Sequence, residues 1–169
     1  MSLPCIIMAG GEGSRLRPLT VNRPKPMIPI VNRPILEHTL EALKREGFKD
    51  FYFTLHYLPK FITDYFESGY KWGVKIEYSI EERPLGTAGG VKRICEGFDR
   101  VLVWSGDVLS FTLVRDMINF HEKGDSVVTM AVTRVDDTSE FGVVVYDEEF
   151  KVIKFQEKPS KEEALSNTI

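Results

Sequence analysis

Short, nearly continuous apolar runs alternate along this chain with segments whose apolar residues recur at helical spacing, and that alternation leaves few architectures open. An apolar run of four to eight residues bounded by turn residues suits a strand buried on both faces, and repeated alternation with helices selects a parallel sheet over a sandwich or a bundle. Leu3 to Met8 is the first such run, and it stops at Ala9-Gly10-Gly11. Leu36, Leu40 and Leu43 predict a helix over 35–45 with Gly47 ending it. Beyond it, the pattern predicts strands over 51–55, 74–80, 100–104 and 126–135, and helices over 61–67, 87–98 and 112–121. Phe141 to Tyr146 and Val152 to Phe155 then bracket Asp147-Glu148-Glu149 with no helix between them, which predicts a hairpin. The expected fold class is α/β: a Rossmann-like, mostly parallel sheet with helices on both faces and an antiparallel hairpin extension. Its ligands should bind at the carboxyl ends of the strands.

A chain of 169 residues that is 43% hydrophobic can bury its own core, and its length suits one domain over 1–169. With 25 acidic and 22 basic residues it has no general cationic surface for a polynucleotide, so nucleic acid is not an expected partner and any anion site must be local. Cys5 and Cys95 lie in apolar surroundings without CxxC spacing, as core thiols in a reducing compartment do. The start Met-Ser-Leu-Pro-Cys-Ile-Ile-Met has no basic n-region and its apolar run is far too short to span a bilayer, so a cytoplasmic location without a membrane partner is expected.

The first strand runs into Gly10-Gly11-Glu12-Gly13-Ser14-Arg15-Leu16-Arg17. Glycines let backbone N–H groups press against phosphate oxygens, although glycines alone fit an ordinary strand-to-helix turn equally well. A dinucleotide loop would want glycine where Leu16 stands, and a Walker loop would want Gly-Lys before Ser or Thr, so neither familiar phosphate motif applies. Cations accompany the glycines instead: Arg15, Arg17, and Lys25 clamped between Pro24 and Pro26. Each alone reads as a solvated surface charge; together with the glycines they read as a polyphosphate site.

Asp107 follows the apolar strand that ends in Ser105-Gly106, on the rim where the glycine loop also emerges. It can cap the next helix, or it can hold Mg²⁺, which is usually bound by one or two carboxylates plus substrate phosphates. His38, His56 and His121 show no ligand spacing, no Gly-x-Ser-x-Gly elbow occurs, and neither cysteine sits beside a base. Covalent catalysis is not indicated.

These residues resemble the nucleoside-triphosphate sugar nucleotidyltransferases, whose opening loop reads Gly-Gly-x-Gly-(Ser/Thr)-Arg-Leu-x-Pro-Leu-Thr followed by Pro-Lys-Pro. The likeness continues through Pro84 to Gly89, Gly106-Asp107, Phe141 to Val144 and Phe155 to Pro159, and is nearest to the mannose-1-phosphate guanylyltransferases. Glucose-1-phosphate relatives using ATP, UTP or dTTP share much of it. The resemblance implies a reaction of a nucleoside triphosphate with a sugar 1-phosphate, GTP and mannose 1-phosphate foremost, that releases pyrophosphate with Mg²⁺ as cofactor. Nucleotide would meet Ala9, Gly10, Gly11, Gly13, Ser14 and Arg15, with Leu85, Gly86 and Thr87 across the base and ribose. Arg15, Lys25 and Asp107 would be catalytic, with Asp107 the metal ligand, while Gly142, Glu157 and Lys158 would bind the sugar phosphate. Ser105 stands where relatives often have Asn, which bears on how Asp107 is anchored. A second metal-binding aspartate is expected beyond residue 169, so the catalytic domain is expected to continue past it. A non-catalytic regulatory relative is the competing reading; such proteins tend to lose a cation or the metal aspartate, and all three are present here. The sequence is compatible with a homo-oligomer.

Overall fold

The computed structural model of the chain describes residues 3–83, 85–109 and 114–169. Its elements in order are β1 (Cys5–Met8), two short strands β2 (Pro29–Ile30) and β3 (Arg33–Pro34) paired antiparallel, α1 (Ile35–Arg45), β4 (Asp50–Leu55), α2 (Pro59–Phe66), β5 (Lys75–Ile80), α3 (Gly86–Cys95) and β6 (Leu102–Ser105). After these come α4 (Val114–Lys123), β7 (Gly142–Tyr146) and β8 (Val152–Glu157). Thr112, where the sequence places the start of the fourth helix, and Pro84 lie outside the described residues.

β1, β4, β5 and β6 form one parallel sheet in the order β5-β4-β1-β6. Successive side chains on a strand point to opposite faces, and Cys5, Ile6 and Ile7 are all fully buried, so both faces of β1 are covered. On β4, Phe53 meets Phe66 of α2 edge-on at 5.6 Å, while its neighbour Tyr52 meets Phe98, just past α3, at 5.3 Å on the opposite face. Each such pair adds about 0.5–1.5 kcal/mol beyond its buried area. α1 buries Leu36, Leu40 and Leu43, the stripe expected from its spacing, and Tyr65 of α2 donates to the Glu37 carboxylate of α1 at 2.5 Å. Burial pushes the Cys5 thiol well above its ordinary pKa, as befits a core residue.

Register decides where the loops emerge. Met8 pairs with Thr54 on one side and Ser105 on the other, and Leu55 pairs with Ile80. The segments that follow β1, β4, β5 and β6 therefore leave the sheet at one rim. The chain builds outward from β1 through β4 to β5, then returns across α3 to place β6 on the other side of β1. Strand order reverses between β1 and β6, the place where open α/β sheets form a crevice for ligands.

The chain comprises two compact units, Met1–Phe111 and Thr112–Ile169. In the second, β7 and β8 form the expected antiparallel hairpin, with Val143 and Val144 buried. The strand expected over 126–135 is not formed: Val127 and Val128 are exposed, and one isolated bridge joins Arg134 to Thr168. A strand needs a row of backbone partners. Along this run the described ladder contacts are limited to Thr133 and Val135, which bond to Ile169 and Asn167 at 2.8–3.0 Å. Apolarity alone was the basis of the expectation, and it does not reveal whether a neighbouring edge exists.

Candidate functional site

The glycine loop stays anchored to the sheet as it leaves β1. Ala9 is buried and donates to the Thr54 carbonyl at 3.0 Å, and the Gly10 carbonyl accepts from the Tyr57 N–H at 3.2 Å. The chain then turns at Gly13, whose φ of +63° favours glycine, into a single 3₁₀ turn over Ser14–Leu16. Buried Thr20 closes the loop by donating its hydroxyl to the Gly13 carbonyl at 2.8 Å. A Cβ on Gly13 would stand 3.0 Å from the Lys25 Cβ, so the loop folds tightly over the lysine stem. At Gly11 a Cβ would meet nothing within 4 Å. The protein's own packing does not demand glycine there. Arg15 and Ser14 are exposed on the turn of this loop.

Lys25 is mounted rigidly. Pro24 and Pro26 on either side are both buried, and Met27 N–H donates to the Pro24 carbonyl at 2.8 Å. The lysine itself is half-buried, and its Nζ lies 2.6 Å from Asp107 Oδ2. Two residues separated by 82 positions, 107 − 25, are thus brought together at the rim where β1 and β6 end.

Asp107 is held from both sides. Gly106 N–H donates to the Met8 carbonyl at 2.9 Å, which locks the turn after β6 onto β1, and Ser105 donates its hydroxyl to Asp107 Oδ1 at 2.6 Å. Ser105 therefore anchors the carboxylate directly. Partial burial pushes the Asp107 pKa up, but hydrogen bonds from Lys25 and Ser105 and the lysine's charge outweigh it, leaving the group below its ordinary value. The carboxylate is ionised at neutral pH and carries one oxygen toward each neighbour. Hard, ionised oxygen beside a glycine loop is the donor chemistry Mg²⁺ takes, with one carboxylate sufficing when substrate phosphates complete the shell. Among the described residues, no cluster of three or more His, Cys, Asp or Glu could hold a metal by itself.

The second segment expected to meet nucleotide follows the end of β5. The Glu81 carboxylate accepts from the Leu85 N–H at 3.0 Å, and Gly86, with φ of +74°, turns the chain into α3, where Thr87 lies in the first turn. In the other unit, Gly142 and Glu157 are cross-strand partners on β7 and β8, and the Glu157 carboxylate lies 3.6 Å from where a Gly142 Cβ would stand. Lys158 follows with φ of +43°, its N–H bonded to the Phe141 carbonyl at 3.0 Å and its Nζ 3.9 Å from Glu157. Two groupings result: Ala9 to Arg15, Lys25, Asp107 and Leu85 to Thr87 in the first unit, and Gly142, Glu157 and Lys158 in the second.

The model of the family described as "Nucleotidyl transferase" matches residues 5–169. The chain belongs to that family. This nucleotidyl transferase chain is 37% identical, over 99% of its length, to the UTP–glucose-1-phosphate uridylyltransferase of Synechocystis sp., and covers 47% of that relative. Over 90% of its length it is 38% identical to the mannose-1-phosphate guanylyltransferase of Mycobacterium tuberculosis, of which it covers 43%. It therefore spans less than half the length of these curated relatives. Among solved structures it superposes with a TM-score of 0.80 and 28% identity on HddC from Yersinia pseudotuberculosis complexed with GMP-PN, covering 98% of this chain and 72% of that one. The fold class expected from the alternation is the one these relatives share. Among the described residues no helix is long and apolar enough to cross a membrane.

Thr20 closes the opening loop motif, whereas Tyr57 and Glu81, which with it tie down the two segments expected to meet nucleotide through backbone groups, carry no motif. The usable signal was positional, since Tyr57 and Glu81 each follow a strand that ends at the site's rim.

Proposed function

We propose that this chain is the nucleotide-handling part of a sugar-1-phosphate nucleotidyltransferase that converts GTP and mannose 1-phosphate to GDP-mannose and pyrophosphate. What carries the reading is the Lys25–Asp107 pair at 2.6 Å, beside a glycine loop and at the point where strand order reverses. The sugar-phosphate oxygen attacks the α-phosphorus in line, the bond from that phosphorus to the bridging oxygen breaks, and pyrophosphate leaves without an enzyme-bound intermediate.

The protein's task is positioning and charge neutralisation, because two unit charges 4 Å apart repel by about 4 kcal/mol at an effective dielectric of 20. Loop amides from Ala9 to Ser14 approach the triphosphate, and Arg15 draws charge onto the leaving pyrophosphate. Asp107 would hold Mg²⁺, which when bound neutralises phosphate charge. Lys25, paired with Asp107 in the resting protein, exchanges that carboxylate for a phosphate oxygen when the triphosphate arrives. Leu85 to Thr87 flank the base and ribose, Gly142 and Glu157 meet sugar hydroxyls, and Lys158 takes the sugar phosphate.

The choice of GTP and mannose 1-phosphate follows the similarity to named guanylyltransferases, including the Mycobacterium tuberculosis protein. UTP with glucose 1-phosphate is the second reading, favoured by the Synechocystis relative that matches 99% of the chain. Pyrophosphate release, measured for mannose 1-phosphate and glucose 1-phosphate against GTP, ATP, UTP and dTTP on the full-length protein carrying this sequence, decides between them. Fastest release with GTP and mannose 1-phosphate is expected; faster release with UTP and glucose 1-phosphate overturns the substrate choice, and none with any pair overturns the reaction.

A further inference from the structure

We infer that Tyr57 is a positioning residue that straps the phosphate loop shut from beneath, setting its shape before nucleotide arrives. The inference rests on the loop's proposed role in binding a nucleoside triphosphate.

Three contacts converge on this one side chain and its backbone. The Tyr57 hydroxyl reaches the Thr20 carbonyl at 3.0 Å and the Val21 carbonyl at 2.8 Å, and its N–H donates to the Gly10 carbonyl at 3.2 Å. Gly10 and Val21 stand at the two ends of the loop, so one residue outside the loop fastens both. Thr20, whose carbonyl is one of the two acceptors within reach of the Tyr57 hydroxyl, donates its own hydroxyl to the Gly13 carbonyl, which carries the fastening on to the turn that lies over Lys25. A closed circuit results: Gly10, Tyr57, Thr20, Gly13 and back along the chain.

The backbone next to Tyr57 turns sharply. Leu58 takes φ of +46° and ψ of 52°, a left-handed conformation that a leucine adopts only where the surroundings compel it, and Pro59 then begins α2. This sharp turn starts α2 at Pro59, so Tyr57 stands on the connection between β4 and α2 and not within the helix. No element of the sheet or of α2 needs the hydroxyl for its own hydrogen bonds: both its acceptors are loop carbonyls.

A loop fixed in advance loses less freedom on binding, so removing the strap should weaken the ligand complex more than the fold. The test compares Tyr57→Phe, which keeps the ring, with Tyr78→Phe, whose hydroxyl donates to the Glu67 carbonyl away from the loop, and with Lys25→Ala. GTP binding with Mg²⁺ is measured by calorimetry, the melting temperature by scanning, and amide hydrogen exchange over 10–21 without nucleotide. Tyr57→Phe should bind GTP roughly fivefold to tenfold more weakly, with faster exchange confined to the loop, as expected for one lost hydrogen bond. Tyr78→Phe should leave binding unchanged whatever it does to melting.

Equal weakening in both tyrosine variants, in step with melting temperature, would reduce Tyr57 to a structural residue and overturn the inference. Unchanged binding and loop exchange in Tyr57→Phe, with binding lost in Lys25→Ala, would overturn it while leaving the site's reading intact. Unchanged binding in Lys25→Ala would overturn that reading, and the strap with it.

Discussion

The two units carry their candidate binding groups on differently supported strands. In the first, β1 is buried on both faces and flanked by β4 and β6, so the loop after it and Asp107 after β6 are mounted on backbone that has little room to move. In the second, β8 pairs with β7 alone among the described strands, and Ile153 and Phe155 on it are 66% and 61% exposed. The groups proposed to handle phosphate follow β1 and its neighbour β6 in the four-stranded parallel sheet, and displacement of a fraction of an ångström matters most at a reacting centre. The groups proposed to face the sugar sit on the more exposed hairpin, where sequence can vary at lower cost to the fold.

The sharpest way to break the contrast is through the rim of the first unit. Lys25→Ala or Asp107→Asn should lower turnover of the full-length protein by about 10²–10³-fold, the scale of losing one preorganised charge at the reacting centre, while unfolding stays cooperative. Steady-state pyrophosphate release with parallel thermal melts checks this. Next comes support of the strands themselves. Phe53→Ala, deep between α2 and β5, should destabilise the protein by about 3–5 kcal/mol, whereas Phe155→Ala on β8 should cost less than about 0.5 kcal/mol. Urea unfolding of both variants measures the difference, and equal losses would erase the distinction between the units.

Lys158→Ala should raise the KM for the sugar 1-phosphate by roughly tenfold, the scale of one charge-assisted hydrogen bond, with little change in the KM for GTP. A matching rise in both would show that Lys158 does not separate sugar from nucleotide. The smallest effect concerns acid. Because Asp107's folded pKa lies below its ordinary 3.8, its contribution to stability is present above that value and is lost as pH falls through the lower folded one. The stability gap between wild type and Asp107→Asn should therefore be constant near neutral pH and shrink below about pH 4. Unfolding titrations at pH 7 and pH 3 show whether it does.

Much of the first unit was legible because its signals are local. A strand such as Cys5–Met8 announces itself by unbroken apolarity, and the helix over Ile35–Arg45 by the spacing of Leu36, Leu40 and Leu43. The run over 126–135 is rich in apolar residues yet did not become a strand, because pairing depends on an edge that no window of sequence contains. The same division runs through the site. Glycines, Lys25 between prolines, and Asp107 after an apolar run could be picked out as candidates, and the structure brings Lys25 to Asp107. Ser105, two residues from Asp107, was singled out as bearing on its anchoring, but Tyr57 and Glu81, which act on backbone carbonyls and N–H groups, were not visible. Such contacts depend on register, and Met8 facing both Thr54 and Ser105 is a fact of the assembled sheet.

The claim on which the rest depends is that Asp107 and Lys25 leave each other for one shared polyphosphate, the carboxylate through Mg²⁺ and the ammonium directly. Calorimetric GTP binding with and without Mg²⁺, in wild type, Asp107→Asn and Lys25→Ala, tests it most directly. Mg²⁺ should tighten GTP binding in wild type and lose that effect in Asp107→Asn, while Lys25→Ala should weaken GTP binding under both conditions. Full Mg²⁺ enhancement in Asp107→Asn, or unweakened GTP binding in Lys25→Ala, would contradict it.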